Sequence, residues 1–324
     1  MKKMKYILAA TAMLAAMAVQ AQLKPEFQLG TTGSKTGNAT MLTVANPDVP
    51  TSVTFAGKKI DFDRVDMAEK LDRELTAIIY GQTNMLLCFK RANRYFGPLE
   101  KILRDQGVPA DFLYLACTES TLDPLAYSPA KAAGIWQLLA ETGRQYGLEV
   151  NDDVDERYDP ERSTVAACKY LKAAYAKYGD WPTAAASYNA GMGRISGELT
   201  KQGQRSSFDL WINQETARYV YRILAYKLIM ENPQQYGYRL KRKNLYQPIR
   251  YNVEEVNGSV SSWVEWARQR GLTYAQLREA NPWIRNTKLT NNSGKTYRVR
   301  IPYRDDLSRS RRRVVVYNPK WTID

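Results

Sequence analysis

The 324-residue chain contains no histidine, which excludes a Ser-His-Asp triad, a Cys-His pair and a His-ligated zinc site and leaves acid–base work to carboxylates, Tyr, Lys or Cys. Its 47 Lys and Arg against 33 Asp and Glu give a net charge of +14, which favours a polyanionic partner: nucleic acid, an anionic membrane surface or a cell-wall polymer. The hydrophobic fraction of 44% is that of a globular chain, and the length suffices for one large core or two modest ones.

In chain order, Lys2, Lys3 and Lys5 precede an apolar run from Tyr6 to Val19 that is too short to span a bilayer comfortably. Val19-Gln20-Ala21 follows as a small-residue cleavage site, so residues 1–21 are expected to be a signal peptide and the chain to be exported, to the periplasm or cell envelope. The absence of a Cys after the run argues against a lipid anchor. Residues 22–57, rich in Gly, Thr, Ser and Pro, read as a linker or extended arm. Helical patterning begins near Phe62 and predicts helices over about 66–80, 82–96 and 98–106, the last closed by Gly107. Pro109 opens a further helix, carrying Phe112, Leu113, Leu115 and Ala116 and ending near Glu119 and Ser120.

Asp159-Pro160 is an N-cap followed by proline, and the helix beyond it stops at Gly179. Another runs from Pro182 to Gly191, and a long one covers about 214–231 before Asn232-Pro233 breaks it. The block 58–235 is therefore expected to be an all-α domain. After Tyr236 the pattern changes to strand near 249–256, short helix at 261–270, and alternating Tyr297, Val299 and Ile301, a small α+β module over 236–303. Residues 304–324, with Arg309 and Arg311 to Arg313, read as a basic tail. Cys88, Cys117 and Cys168 are odd in number and widely spaced, so three free thiols are expected.

Three short segments carry the chemistry: Glu119-Ser120, Gly134-Ile135-Trp136-Gln137 and Ser187-Tyr188-Asn189-Ala190-Gly191. Singly each is weak, since a Glu near a helix end is ordinarily a solvated charge. In this order and spacing they resemble the lytic transglycosylase domain of the soluble type, which has the lysozyme-like fold of goose-type lysozyme. The stretch from Thr142 to Leu148 and the late segment from Glu215 to Val220 extend the likeness to the membrane-bound lytic transglycosylase D type, over about 58–235. Ser187 stands where the family has Ala, and Ile135-Trp136 where it has Leu-Met.

The resemblance implies a peptidoglycan-cleaving enzyme that needs no cofactor and no metal. Glycoside cleavage needs an acid at the leaving oxygen, and most families add a second carboxylate. In this family the muramic acid 6-hydroxyl attacks instead, so one carboxyl serves as acid and then base, giving a 1,6-anhydro end. Glu119 is the implied catalytic residue. Ser120, Gln137, Tyr188 and Asn189 are the implied substrate-binding residues, and Trp136, Tyr127 and Tyr146 are candidate platforms for sugar faces, a position that core aromatics also fill. Ser261 to Pro302 resembles a degenerate LysM domain, a glycan-binding module, although Asn257-Gly258-Ser259-Val260 replaces its usual opening.

The overall expectation is a mainly α chain: a lysozyme-like catalytic domain followed by a small LysM-like module. Its partner is peptidoglycan glycan strands and not nucleic acid, with peripheral association to membrane or wall. Two alternatives stand: a muramidase of the same fold, with Asp123 or Asp153 as conceivable water activators, and a non-catalytic wall-binding protein. Because the motifs end before Pro233, a chain stopped near Tyr236 is expected to keep every catalytic part.

Overall fold

Val53 and Phe55 point inward from a short strand that nothing in the patterning announced. In a computed structural model describing residues 46–324, Ser52–Phe55 (β1) pairs antiparallel with Lys58–Asp61 (β2). The turn between them is Ala56-Gly57, both at positive φ, as a tight hairpin requires. Phe55 is fully buried against Phe112, with ring centroids 5.5 Å apart, and Asp111 accepts from the Ala56 amide at 2.5 Å. The end of the segment expected as a free arm is therefore part of the core. Residues 1–21, expected as a signal peptide, lie outside the described residues.

The helices then follow in order: Val65–Tyr80 (α1), Gln82–Asp105 (α2), Leu113–Ser120 (α3), Ala140–Gln145 (α4), Pro160–Tyr178 (α5), Trp181–Ala190 (α6), Met192–Gln202 (α7) and Gln214–Glu231 (α8). Their ends obey local chemistry. Asp159 accepts from the amides of Glu161 and Arg162, Asp180 caps α6 through Thr183, and Gly179 closes α5 in the left-handed region. The two helices expected at 82–96 and 98–106 are one, since α2 runs unbroken through Pro98. Helix α7 is additional, starting directly after the Gly191 stop.

Helices α1, α2, α3 and α8 share one core through Leu71, Leu75, Phe89, Phe96, Leu115 and Ile223. Cys88, Cys117 and Cys168 are free and buried in it.

The C-terminal module is β3 (Tyr251–Val256), α9 (Trp263–Gln269), α10 (Tyr274–Ala280) and β4 (Tyr297–Pro302), with β3 and β4 antiparallel in the register Tyr251↔Pro302 to Val256↔Tyr297. Trp263 and Trp283 are buried and form its small core, and Trp266 is capped by the Arg270 guanidinium 3.5 Å from its ring. The architecture is mainly α with a small α+β module, as the patterning predicts. The basic tail is not free. Asn93 on α2 donates to the Val315 carbonyl at 2.9 Å and accepts from the Tyr317 amide at 2.8 Å. Trp321 is 1% exposed, packs on Phe89 and Phe96, and donates its indole N–H to the Met230 carbonyl at 2.7 Å. The last residues thus strap back across the helical core.

Candidate active site

Helix α3 ends at the acid. Thr121 and Leu122, immediately beyond it, both hold positive φ, as does Gln137 in the second motif. Left-handed backbone at non-glycine residues costs on the order of 1 kcal/mol or more each, and such strain concentrates at functional sites. Ser120 donates to the Ile135 carbonyl at 2.8 Å, which ties the end of α3 to the Gly134–Gln137 turn. Gly134 itself is demanded by space: at φ +76 a Cβ would lie 1.9 Å from the Arg157 carbonyl oxygen. Gln137 closes the turn from within, donating to the Gly134 carbonyl at 2.9 Å and the Ala126 carbonyl at 3.2 Å.

The third motif meets the same turn. Tyr188 on α6 donates its hydroxyl to the Trp136 carbonyl at 2.8 Å, and its ring stands edge-on to Tyr170, whose ring meets Tyr146 in the same way. Asn189 accepts from Thr216 on α8 at 2.9 Å and reaches Glu215 at 3.5 Å. Trp136 departs from the expected role. Its ring is fully buried and its indole N–H is taken by Thr164 at 2.7 Å, so it packs the core and offers no face to a sugar. Tyr127, 58% exposed, keeps a free face, while Tyr146 is half-buried.

Glu119 sits half-buried at the convergence of these elements. Burial, the largest influence, pushes its carboxyl up to about 7, and nearby Glu215 adds to the rise. The Tyr219 hydroxyl donates to Glu119 Oε1, and this bond and the Arg222 charge act in the opposite direction. Arg222 and Arg218 are both engaged by Glu74, a carboxylate only 1% exposed on α1. Glu74 thereby offsets the Arg222 charge and limits how far it can favour the Glu119 anion. Asp123 and Asp153 are occupied elsewhere: Asp123 pairs with Arg91 at 2.6 Å, and Asp153 accepts from Asn286 and the Thr290 amide in the module.

Tyr219, Glu215, Arg222 and Glu74 are the members of the site that reading by motif missed. The first two lie within the late segment from Glu215 to Val220, so a signal existed. Glu74 joins from 144 residues away and leaves no local trace.

The raised carboxyl has a consequence for stability. Unfolded, Glu119 would ionise near 4.5, whereas folded it holds its proton to about 7. The anion therefore destabilises the fold increasingly between these values, reaching about 3 kcal/mol above the upper one. Glu119→Gln removes the penalty, so it is expected to melt above wild type at about pH 8 and level with it at about pH 4. Equal melting at both values would show that the carboxyl is not desolvated.

Comparison with known proteins bears on this arrangement. Residues 99–210 match the family model of the Transglycosylase SLT domain, and residues 252–305 match that of the soluble lytic transglycosylase C-terminal LysM-like domain. Membrane-bound lytic murein transglycosylase D of Escherichia coli K12 is 32% identical over 207 residues, 61% of this chain and 44% of that protein. The match thus takes in less than half the length of that relative. Among solved structures, the lytic transglycosylase Slt of Pseudomonas aeruginosa matches at 25% identity and a TM-score of 0.36, covering 43% of this chain and 24% of that one. The 70-kDa soluble lytic transglycosylase of Escherichia coli matches at 20% identity and a TM-score of 0.38, covering 51% and 30%. The chain carries a transglycosylase SLT domain over residues 99–210, which holds Glu119, the Gly134 turn and Tyr188, followed by the LysM-like domain of the soluble lytic transglycosylases over 252–305.

Proposed function

We propose that this chain is a peptidoglycan lytic transglycosylase that cleaves the β-1,4 bond between N-acetylmuramic acid and N-acetylglucosamine without water, leaving 1,6-anhydro-N-acetylmuramic acid ends. The observation that carries the reading is the Glu119 carboxyl, desolvated and held at Oε1 by the Tyr219 hydroxyl, beside the Gly134–Gln137 turn and Tyr188.

With Tyr219 donating to Oε1, the proton of the neutral acid resides on Oε2, where it can pass to the glycosidic oxygen. A carboxyl at about 7 holds that proton at and below neutrality and can take one back afterwards. As the leaving sugar departs, Arg222 stabilises the carboxylate that forms. The carboxylate then accepts the proton of the muramic acid 6-hydroxyl as that oxygen attacks the anomeric carbon, so no second carboxylate need activate water. Ser120 and Tyr188 act here through the turn, each fixing one of its carbonyls. Asn189 and the exposed face of Tyr127 are the residues for direct sugar contact. The net charge, +14 for the full chain and still strongly positive once Lys2, Lys3 and Lys5 leave with residues 1–21, suits the acidic peptide stems of the wall. The intact set of Glu119, Gln137, Tyr188 and Asn189 argues against a non-catalytic wall binder. Export to the periplasm or cell envelope belongs to the same reading; among the described residues no helix is long and apolar enough to cross a membrane.

The muramidase alternative has one residue in its favour: Glu215, close enough to raise the Glu119 carboxyl. Products distinguish the two. Digests of purified sacculi are expected to yield muropeptides lighter by one water than hydrolysed ones and resistant to borohydride. Reducible, full-mass products would establish hydrolysis.

A further inference from the structure

The LysM-like module is joined to the catalytic block by more than chain connectivity. Val154, from the segment between α4 and α5, is fully buried in the module's own core, beside Ile284. The two backbones pair there: the Asp155 amide donates to the Trp283 carbonyl at 2.9 Å, and the Arg285 amide donates to the Asp153 carbonyl at 2.9 Å. The seam also carries ionic contacts, Arg300 to Asp159 at 2.8 Å, Lys295 to Glu149 and Glu156 at 2.6 and 2.9 Å, and Tyr251 donating to Glu161 at 2.6 Å, beside a cavity of about 250 Å³ walled by Pro98, Pro160, Pro282 and Pro302. Residues 153–157 are the part of the seam that enters the module's apolar core and pairs with it backbone to backbone.

That link leads to the active site. Asp155 holds Arg157 through two oxygens, at 2.9 and 2.7 Å, with both side chains buried. One terminal nitrogen of Arg157 then donates to the carbonyls of Lys131 and Leu138, at 2.9 and 3.0 Å, the two residues that bracket the catalytic turn. The Arg157 carbonyl is also the wall that excludes any Cβ at Gly134. From the module core the contacts run without a gap through Val154, Asp155 and Arg157 to the turn, whose carbonyls anchor Ser120 and Tyr188.

We propose that Arg157 is a positioning residue for the reaction and that the module serves as its abutment, holding the Gly134–Gln137 turn in register with Glu119 instead of acting only as a tethered glycan binder. The proposal rests on the transglycosylase reading for its effect on rate, but the mechanical coupling can be observed without any activity. A planar fork that grips Asp155 through Nε and one terminal nitrogen while the other terminal nitrogen reaches two carbonyls has no equivalent in lysine, and small displacements of catalytic groups cost rate more than binding.

Two full-length variants test it. Arg157→Lys strikes the site end of the link, and Asp153→Ala the module end, where it removes the acceptors for Asn286 and the Thr290 amide. Hydrogen–deuterium exchange is read over residues 131–138, where the amides of Ala133, Gly134 and Gln137 are hydrogen-bonded to the Leu138, Ala126 and Gly134 carbonyls, with α8 as internal control. Cleavage of a soluble uncrosslinked glycan strand gives kcat and KM. Both variants are expected to speed exchange in the turn and leave α8 unchanged. They should lower kcat by about 10-fold (Arg157→Lys) and about three-fold (Asp153→Ala), with KM within about two-fold. Turn exchange as slow as wild type in Asp153→Ala would overturn the proposal, as would a rise in KM at constant kcat, which marks the module as a binder alone. A wild-type enzyme that leaves the glycan intact while the variants still loosen the turn would refute the transglycosylase reading and uphold the coupling.

Discussion

Glu119→Gln is expected to lower the release of soluble muropeptides from purified sacculi by at least about 1,000-fold. General acid–base participation is worth roughly 100- to 10,000-fold at a single proton transfer, and here one carboxyl performs two transfers in sequence. The amide keeps an acceptor for the Tyr219 hydroxyl and the volume of the acid, so the cleft is retained while the transferable proton is lost. Circular dichroism and melting should therefore show a folded variant. Release within about ten-fold of wild type would place the acid elsewhere, Glu215 being the first residue to examine.

The second large effect concerns where the chain can be cut. Read by motif, a protein ending near Tyr236 keeps every catalytic part. The catalytic side chains do lie before that point, but Tyr238, Leu240, Leu245 and Trp321 all belong to the core of the helical block that holds them. Loss of a buried Trp alone typically costs about 3–5 kcal/mol, against a total stability of roughly 5–15 kcal/mol for a domain. Removing residues 237–324 also exposes Val154 and leaves the Trp321 cavity between Phe89 and Phe96. The truncated chain is expected to lack a cooperative melting transition and to be inactive on soluble glycans. Trp321→Ala isolates the strap and should stay folded, with stability reduced by about 3–5 kcal/mol in urea titration. A truncation that melts cooperatively and cleaves at the wild-type rate would show that the strap and module are accessories.

Helix positions were legible wherever side-chain chemistry marks an end. Asp159-Pro160, Gly179 and Asn232-Pro233 each set a boundary through neighbours only a few residues away. What sequence patterning misplaced depends on distant partners. The β1–β2 hairpin has strands of four residues and an Ala-Gly turn without the usual Asn-Gly signal, and its burial is supplied by Phe112. The run of arginines before Val314 disguised the strap, whose anchor is Asn93 on a helix more than 200 residues earlier.

The same distinction holds in the site. Ser120 and Tyr188 are tied to the Gly134–Gln137 turn by bonds between the motifs, Gln137 closes that turn from within, and the three segments meet beside Glu119. Trp136 was misread as a candidate platform because ring burial depends on Thr164 and the helix behind it. Tyr219 and Glu74 reach the acid or its neighbours from other helices, and only folding brings them there.

The central claim is that the carbon–oxygen bond is broken and remade without water, by one carboxyl acting in both directions. Digestion of purified sacculi in heavy-oxygen water, followed by mass analysis of the new glycan ends, tests it most directly. The account predicts anhydro ends carrying no heavy oxygen at any stage of the digest. Heavy oxygen at the newly formed anomeric position from the first turnovers would contradict it.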